Sequence, residues 1–180
     1  AVPRRLLRAL VIVPLVLPPV VGGVALLLLL GRRGLLGQFL PFTIPFSTSA
    51  VVIAQVFVAM PFLVLAVEGA IRSADTRFEA AAATLGASRA TLFRRVTLPL
   101  IAPGVAAGAL LCFTRSLGEF GATITFAGSF PGVTQTLPIT TYLELQRDPD
   151  AAIALSLVLL AVSVAVLVSL RDRWVPGLTP

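Results

Sequence analysis

The chain alternates between long apolar runs and short charged connections. Four runs contain no charged residue, and each is long enough to cross a bilayer, which takes about 20 residues as an α-helix. They lie at residues 9–31, 46–67, 96–114 and 151–170. The pattern predicts an all-α fold, a polytopic membrane helical bundle. Pro14 and the pair Pro18-Pro19 further predict that the first half of the first span is kinked or unwound.

A fifth apolar stretch, residues 120–143, does not fit a straight span. It has no charge, but glycine, proline and threonine residues interrupt it throughout. Because these residues weaken helices or bond to the backbone, they argue against a lipid-facing helix. We expect an outer-side segment, partly re-entrant or packed over the bundle, with a helical piece at about residues 137–146.

Within the third predicted span, Gly104 and Gly108 enclose the small residues Val-Ala-Ala. Small residues at this spacing allow two membrane helices to approach closely. A chain rich in glycine and alanine also produces the spacing by chance, so both interpretations stay open.

Composition separates this chain from soluble proteins. Only 12% of its residues are charged, against roughly 25% in soluble domains, and its mean hydropathy is +1.00. Too little charge is present to cover a water-facing surface. We therefore expect a multi-pass protein of the cell membrane.

The distribution of arginine predicts the orientation, because cytoplasmic loops are enriched in basic residues. All 14 basic residues are arginine, and the net charge is +6. A cytoplasmic N-terminus followed by four crossings places most of them inside. The inner set is Arg4, Arg5, Arg8, Arg72, Arg77, Arg89, Arg94, Arg95, Arg171 and Arg173, and the outer set is Arg32, Arg33, Arg115 and Arg147.

The charged connection at residues 68–95 lies on the cytoplasmic side in this orientation. It exceeds the roughly 2–8 residues that connections in helix bundles usually take. Thr76 and Glu79 have the spacing of a capping box, and Gly86 can end the helix that they begin. Ser88 can cap a second short helix. The connection is therefore predicted to contain two helices.

The first of these helices has an apolar face formed by Phe78, Ala82 and Leu85, which recur at helical spacing. So short a helix cannot bury this face by itself. We expect it to dock on a partner in the cytoplasm; the alternative is a capped cytoplasmic helix without a partner.

Three motifs follow one another in and after this connection: Glu79-Ala80-Ala81, Gly86 and Leu98-Pro99. Together they resemble the EAA loop of ABC importer permeases. The resemblance implies coupling helices that insert into a groove of an ATPase subunit. Glu79 would make polar contacts at that interface, Gly86 would form the turn between the helices, and Phe78, Ala82 and Leu85 would form the buried docking face.

Further motifs extend the resemblance over nearly the whole chain. They lie at residues 17–22 (LPPVVG), 115–123 (RSLGEFGAT), 126–128 (FAG) and 131–138 (PGVTQTLP). The first is similar to the proline-rich span of molybdate and sulfate permeases, and the others are most similar to molybdate permeases. The resemblance implies a single transmembrane permease domain over residues 1–180 that translocates molybdate, with sulfate and tungstate as alternatives.

The resemblance also implies the partners of the chain. These are a second permease copy in a homodimer, an ABC ATPase dimer, an extracytoplasmic oxyanion-binding protein and membrane lipid. Members of the family have one or two additional N-terminal spans, and this chain begins at Ala1 with Met60 as its single methionine. We therefore expect an N-terminally truncated fragment.

The absence of lysine and histidine from the sequence excludes several functional classes. Without lysine the sequence has no P-loop to bind ATP, and without histidine it has no histidine base or metal ligand. The single Cys112 allows neither an intrachain disulfide nor a cysteine-based metal cluster. We expect a non-enzymatic subunit without a bound cofactor or metal, with ATP and Mg²⁺ used by the partner ATPase. Because the arginines cluster between apolar runs, no nucleic-acid partner is expected.

Two other functional classes remain as alternatives. A membrane enzyme usually needs clustered carboxylates or histidines, and Asp148 and Asp150 are the only close acidic pair. A secondary transporter or channel usually has ionisable groups within its spans, and the four predicted spans have none.

Hydroxyl groups near the span ends could donate hydrogen bonds to an oxyanion in a path, although such groups are also ordinary caps and packing residues. Arg115 and Glu119 lie one helical turn apart near the outer end of the third span. They form an internal ion pair, or act as a gate or binding-protein contact. The predicted path or gate residues are Ser47, Thr48, Ser49, Thr114, Arg115, Ser116, Glu119 and Thr123, with Thr125 nearby.

Overall fold

The computed structural model describes the backbone of residues 4–174 and the side chains of residues 6–168. Within this part of the chain the regular structure is helical and no strand occurs, so the all-α prediction is confirmed. Its α-helices are α1 (Arg4–Val16), α2 (Pro19–Leu30), α3 (Thr48–Ser73), α4 (Thr76–Thr84), α5 (Arg89–Leu92), α6 (Leu98–Leu117), α7 (Gly121–Ala127), α8 (Leu137–Glu144) and α9 (Pro149–Trp174). The side chains of Arg4, Arg5, Arg171 and Arg173, which contribute to the predicted orientation, lie outside the described residues, as do those at the end of the predicted span 151–170.

Three helices of the described part are long and apolar enough to cross a membrane. They are Thr48–Ser73, Arg89–Leu117 and Pro149–Val168, and the second combines α5, a π-helical turn at Phe93–Thr97 and α6. They overlap the last three predicted spans. Each extends beyond the charge-free run at one end or both, because the polar residues that anchor a span at the membrane surface are themselves helical.

The first predicted span is not one continuous helix. It is divided into α1 and α2, both shorter than the three long helices, and the division lies at Leu17 and Pro18. Pro18 has an extended backbone, with φ −55° and ψ 135°, and Pro19 is the first residue of α2. Proline lacks the N–H donor and disfavours helix at the residue before it, so consecutive prolines end one helix and begin the next. The predicted break is confirmed at this position.

The connection predicted at residues 68–95 is shorter in the structure. α3 continues through Ser73, and the next long helix already begins at Arg89. Glu68 and Arg72 lie one turn apart near the end of α3, with 4.0 Å between their side chains. Such i,i+4 pairs favour helix, so the first charged residue does not end the span. The segment outside the long helices is residues 74–88, which contains α4.

The stretch at residues 120–143 contains two short helices. α8 corresponds to the helical piece predicted at residues 137–146, whereas α7 was not predicted. Most of α7 is buried, including Gly121, Thr123 and Phe126. This burial agrees with the expectation of a packed segment rather than a lipid-facing helix.

The chain forms two compact units, residues 1–59 with 114–180 and residues 60–113. The first unit has an apolar core to which α2, the first half of α3 and α7 contribute. Its buried members are Leu26, Ala50, Ala54, Val58, Ala122, Phe126 and Ala127.

Glycine allows α2 and α7 to pack with their backbones close together. A Cβ atom at Gly23 would lie 2.8 Å from the carbonyl oxygen of Ala122 and 2.8 Å from the Cβ of Thr125. A Cβ atom at Gly121 would lie 3.0 Å from the Cβ of Pro19. A larger residue at either glycine would therefore push the two helices apart.

In the second unit, the residues Gly104 and Gly108 of α6 face the end of α3. A Cβ atom at Gly108 would lie 2.7 Å from the Cβ of Ala66, and one at Gly104 would collide with the Cβ of Ala70. The small-residue spacing in the sequence is therefore a packing face and not a chance pattern.

This packing face predicts a contrast between two glycines of the second unit. Gly108→Val should destabilise the protein by about 1–3 kcal/mol, because its side chain has no room against Ala66. Gly69→Val on α3 is the matched control, since no atom lies within 4 Å of a Cβ there. Thermal unfolding in detergent, followed by circular dichroism, measures both. Equal shifts for the two variants would contradict the close helix approach.

Candidate docking loop and buried ion pair

Asp75, rather than Thr76, caps the first turn of α4. The side chain of Asp75 accepts a hydrogen bond from the backbone N–H of Arg77 at 2.9 Å, and Thr76 is the first helical residue. The predicted Thr76–Glu79 capping box is therefore wrong, because the helix begins one residue earlier than that box requires. The side chain of Glu79 is left available for a partner further along the chain.

That partner is Thr97. The hydroxyl of Thr97 donates a hydrogen bond of 2.6 Å to Oε1 of Glu79, and this polar contact is partly buried. Thr97 is the last residue of the π-helical turn Phe93–Thr97, directly before α6. The bond therefore ties α4 to the start of a long helix. π-Helical turns inside long helices are frequent at functional sites.

Gly86 and Ser88 form the turn that the sequence predicted. Gly86 has a positive φ of 80°, in the left-handed region that glycine adopts without steric cost. Ser88 is the N-cap of α5, and its hydroxyl accepts a hydrogen bond from the N–H of Thr91 at 3.2 Å. Both local predictions are confirmed.

α4 buries none of its residues within the described part of the chain. Phe78 is 58% exposed and Leu85 is 87% exposed, while Ala82 is half-buried. We call Phe78, Ala82 and Leu85 the docking surface. Ala80 and Ala81 are exposed as well. One large apolar side chain of α4, Phe78, and that of Leu85, the residue at its C-cap, are thus left in contact with solvent.

Further groups of the second unit make its exposed surface apolar and basic. Phe93 is 53% exposed, although the sequence did not single it out. The exposed arginines of this unit include Arg77, Arg89, Arg94 and Arg95. A partner for such a surface would need apolar groups flanked by acidic ones.

Arg115 and Glu119 form the predicted ion pair. We call it the buried clamp, because the buried Glu119 carboxylate bonds to Arg115 on one side and to the backbone of Ala122 on the other. Nη1 of Arg115 lies 2.6 Å from Oε2 of Glu119, whose side chain is only 1% exposed. The other carboxylate oxygen, Oε1, accepts the backbone N–H of Ala122 at 2.8 Å. Glu119 thus joins the last turn of α6 to the first turn of α7. The Arg115 side chain remains 27% exposed.

The predicted hydroxyl residues have different surroundings. Ser47 is half-buried, and its Oγ accepts the N–H of Ala50 at 3.3 Å, as a cap of α3. The exposed Thr48 donates to the carbonyl of Val133 at 3.2 Å, and Ser49 is exposed. Thr123 is fully buried, and its Oγ1 has no hydrogen-bond partner among the described residues. Thr114 and Ser116 are half-buried on α6.

Sequence reasoning missed Asp75, Thr97, Phe93 and α7. Asp75 had a visible signal, since aspartate directly before a helix is a preferred N-cap. Thr97 had none, because its bond to Glu79 joins positions 18 residues apart. α7 was missed because a glycine-rich start and two threonines indicate poor helix propensity, which burial overrides.

The chain matches, over residues 1–176, the family described as the binding-protein-dependent transport system inner membrane component. The molybdenum transport system permease protein ModB of Mycobacterium tuberculosis is 56% identical over 172 residues, which cover 94% of this chain and 65% of that protein. ModB of Escherichia coli is 41% identical over 175 residues, covering 95% and 76%. The sulfate transport system permease protein CysT of Salmonella typhimurium is 39% identical over 172 residues, covering 93% and 62%. The chain thus spans 65% of the length of its mycobacterial relative.

The bond between Thr97 and Glu79 predicts how firmly α4 is held. Thr97→Val keeps the shape of the side chain but removes its hydroxyl. We expect the amides of residues 76–84 to exchange hydrogen about tenfold faster, because a hydrogen bond to a charged group is lost. Hydrogen exchange with mass spectrometry measures this. Thr84→Val is the matched control, since the Thr84 hydroxyl bonds only to Ala81, one turn back. Unchanged exchange in Thr97→Val would contradict the proposed anchor.

The buried clamp predicts strong coupling between Arg115 and Glu119. Glu119→Ala should cost about 3–5 kcal/mol, because it leaves Arg115 without its counter-charge and the Ala122 N–H without its acceptor. Arg115→Ala should also destabilise the protein. The double variant should cost less than the sum of the two, as a thermal-unfolding double-mutant cycle would measure. Additive effects would mean that the two side chains do not interact in solution.

Proposed function

The chain belongs to the family of binding-protein-dependent transport system inner membrane components, and from this premise we propose that it is the permease subunit of an ATP-driven importer that translocates molybdate. It is a multi-pass membrane protein, with three helices in its described part that can span a bilayer. The single observation that supports the substrate is its 56% identity to a molybdenum transport permease over 94% of the chain.

Energy for transport would come from a separate ATPase dimer that binds ATP and Mg²⁺, because this chain has no lysine for a P-loop and no histidine. The permease itself would be neither an enzyme nor a cofactor-binding subunit. The docking surface is the element suited to contact that ATPase. Phe78 and Leu85 point an apolar surface away from their own chain, and the surrounding arginines favour an acidic rim on the partner.

Motion would pass from the ATPase to the spans through Glu79. When the ATPase moves α4, the Glu79–Thr97 bond transfers that displacement to the start of α6. α6 begins at Leu98, directly after Thr97, so the displacement would reach this helix at its first turn. Glu79 therefore acts in this proposal by positioning the docking helix, and not chiefly by contacting the ATPase.

The translocation path would be formed by two copies of the permease and supplied by an extracytoplasmic oxyanion-binding protein. An oxyanion in transit needs hydrogen-bond donors but no strong cationic trap, since it must also leave. Arg115 meets that requirement because Glu119 balances its charge while its side chain remains 27% exposed. Thr48 and Ser49, with exposed side chains at the start of α3, are further candidates for the path.

Sulfate is the second candidate substrate. The sulfate permease CysT of Salmonella typhimurium is 39% identical to this chain, which is close to the 41% of Escherichia coli ModB. Molybdate and sulfate are both tetrahedral dianions, so a path of neutral donors would accept either. Selection between them would then depend on the binding protein.

Capture of the ATPase tests the proposal. The full-length permease would be purified with its candidate ATPase, as wild type and as Leu85→Ser and Phe78→Ala. We expect about tenfold weaker capture for each variant, because each loses an apolar side chain from the interface. These side chains are largely exposed, so the loss is not explained by unfolding of the permease. Phe39→Ser is the matched control, since Phe39 is 78% exposed in the connection between α2 and α3.

Uptake of molybdate into vesicles that contain the assembled transporter tests the substrate. Uptake that depends on ATP and on the docking surface supports the full proposal. Capture without molybdate uptake, but with sulfate uptake, selects the second substrate. Absence of capture would favour a channel or membrane enzyme instead.

A further inference from the structure

The connection between α2 and α3 encloses a small polar pocket. Its volume is about 220 Å³, several times the roughly 30 Å³ that one water molecule occupies in the liquid. The exposed part of its wall is mostly polar. The lining residues are Arg32, Gly37, Gln38, Leu40, Pro41, Phe42 and Thr43.

Arg32 gives the pocket an uncompensated positive charge. The first acidic residue of the whole sequence is Glu68, so residues 1–67 contain arginines but no carboxylate. The Arg32 side chain is exposed, and no ion pair involves it among the described residues. Its guanidinium therefore offers its planar set of N–H donors to a ligand and not to the protein.

Gln38 and Thr43 add neutral donors to the same wall. The amide nitrogen of Gln38 makes one long hydrogen bond of 3.4 Å, to the carbonyl of Leu35, which leaves its second N–H available. Thr43 adds an exposed hydroxyl. Charged and neutral donors together suit a ligand that only accepts hydrogen bonds.

The backbone beneath the pocket is fixed by glycines. A Cβ atom at Gly37 would collide with the carbonyl oxygens of Leu30 and Gly31. The backbone at Gly37 therefore lies too close to the end of α2 for any larger residue. The N–H of Leu40 donates to the Gly37 carbonyl at 3.2 Å, which closes the turn on the other side. The pocket is therefore part of the fold of this connection and not a gap between mobile side chains.

We propose that this pocket is an oxyanion site on the outer side of the membrane, with Arg32 binding two oxygens of a tetrahedral anion and Gln38 and Thr43 each binding one more. The assignment of the ligand class rests on the proposed function, and the outer location rests on the distribution of arginine. A free molybdate or sulfate and the phosphate of a lipid headgroup share this chemistry. A free oxyanion would be concentrated there, because the positive charge raises its local concentration.

The test measures binding directly, without transport. The full-length permease with its ATPase, in nanodiscs and without ATP, is titrated with radiolabelled molybdate and with sulfate. Arg32→Gln should weaken binding about tenfold, because it removes charge-assisted hydrogen bonds. Arg33→Gln is the matched control, since it removes the same charge from the neighbouring position, which does not line the pocket. Gln38→Leu and Thr43→Val should each weaken binding less than Arg32→Gln.

Native mass spectrometry of the same samples identifies the source of the anion. If Arg32→Gln loses a retained lipid while molybdate and sulfate binding is unchanged, the site takes the headgroup phosphate. If Arg32→Gln instead weakens the binding of free molybdate and sulfate, the ligand of the site is the free oxyanion. The site would be overturned if Arg32→Gln and Arg33→Gln had equal effects. It would also be overturned if neither variant changed the binding of free oxyanion or of lipid.

Different experimental results would contradict the oxyanion site and the proposed function. A permease that captures no ATPase and transports no molybdate, yet binds sulfate through Arg32 when it is alone in nanodiscs, would retain the site and lose the function. A complex that transports molybdate with an unchanged rate and unchanged equilibrium binding in Arg32→Gln would retain the function and lose the site.

Discussion

Backbone hydrogen bonding at helix breaks is the constraint on which the rest of the first unit depends. In an apolar environment the N–H and C=O groups freed by a break must find partners inside the protein. The chain breaks at Leu17 and Pro18, and again between α6 and α7. At the second break Glu119 accepts the N–H of Ala122 and holds Arg115. Gly121 then lets α7 lie against Pro19, so both breaks meet in one packed region.

The segment that contains α4, residues 74–88, is held by polar contacts and not by burial. α4 buries no residue, and polar contacts hold it: the Asp75 cap, the Gly86 turn and the Glu79–Thr97 bond. Elements with little buried surface lie at the low end of local stability. Such a helix is free to complete its packing on another protein, while the Glu79–Thr97 bond keeps it attached to the start of α6.

The arginines of the first unit differ in how their charge is compensated. The first 67 residues have no carboxylate, which leaves Arg32 and Arg33 uncompensated in the connection between α2 and α3. Arg115, in contrast, is balanced by the buried Glu119. In the proposed function the uncompensated arginines would attract an anion, and the balanced pair would not hold it strongly.

The sequence by itself determined the helical class, the break at Pro18, the turn at Gly86 and the exposed apolar face of α4. Each depends on local geometry or on periodicity, which the order of residues specifies directly. The tertiary structure alone decided where Glu79 bonds, why α7 is helical, and that Glu119 is a buried clamp and Gly108 a packing contact. Those features join residues that are distant in the chain or depend on burial. Burial outweighs local propensity there: the helix at α7 forms from residues with poor propensity, and Glu79 bonds to Thr97 in place of its capping partner.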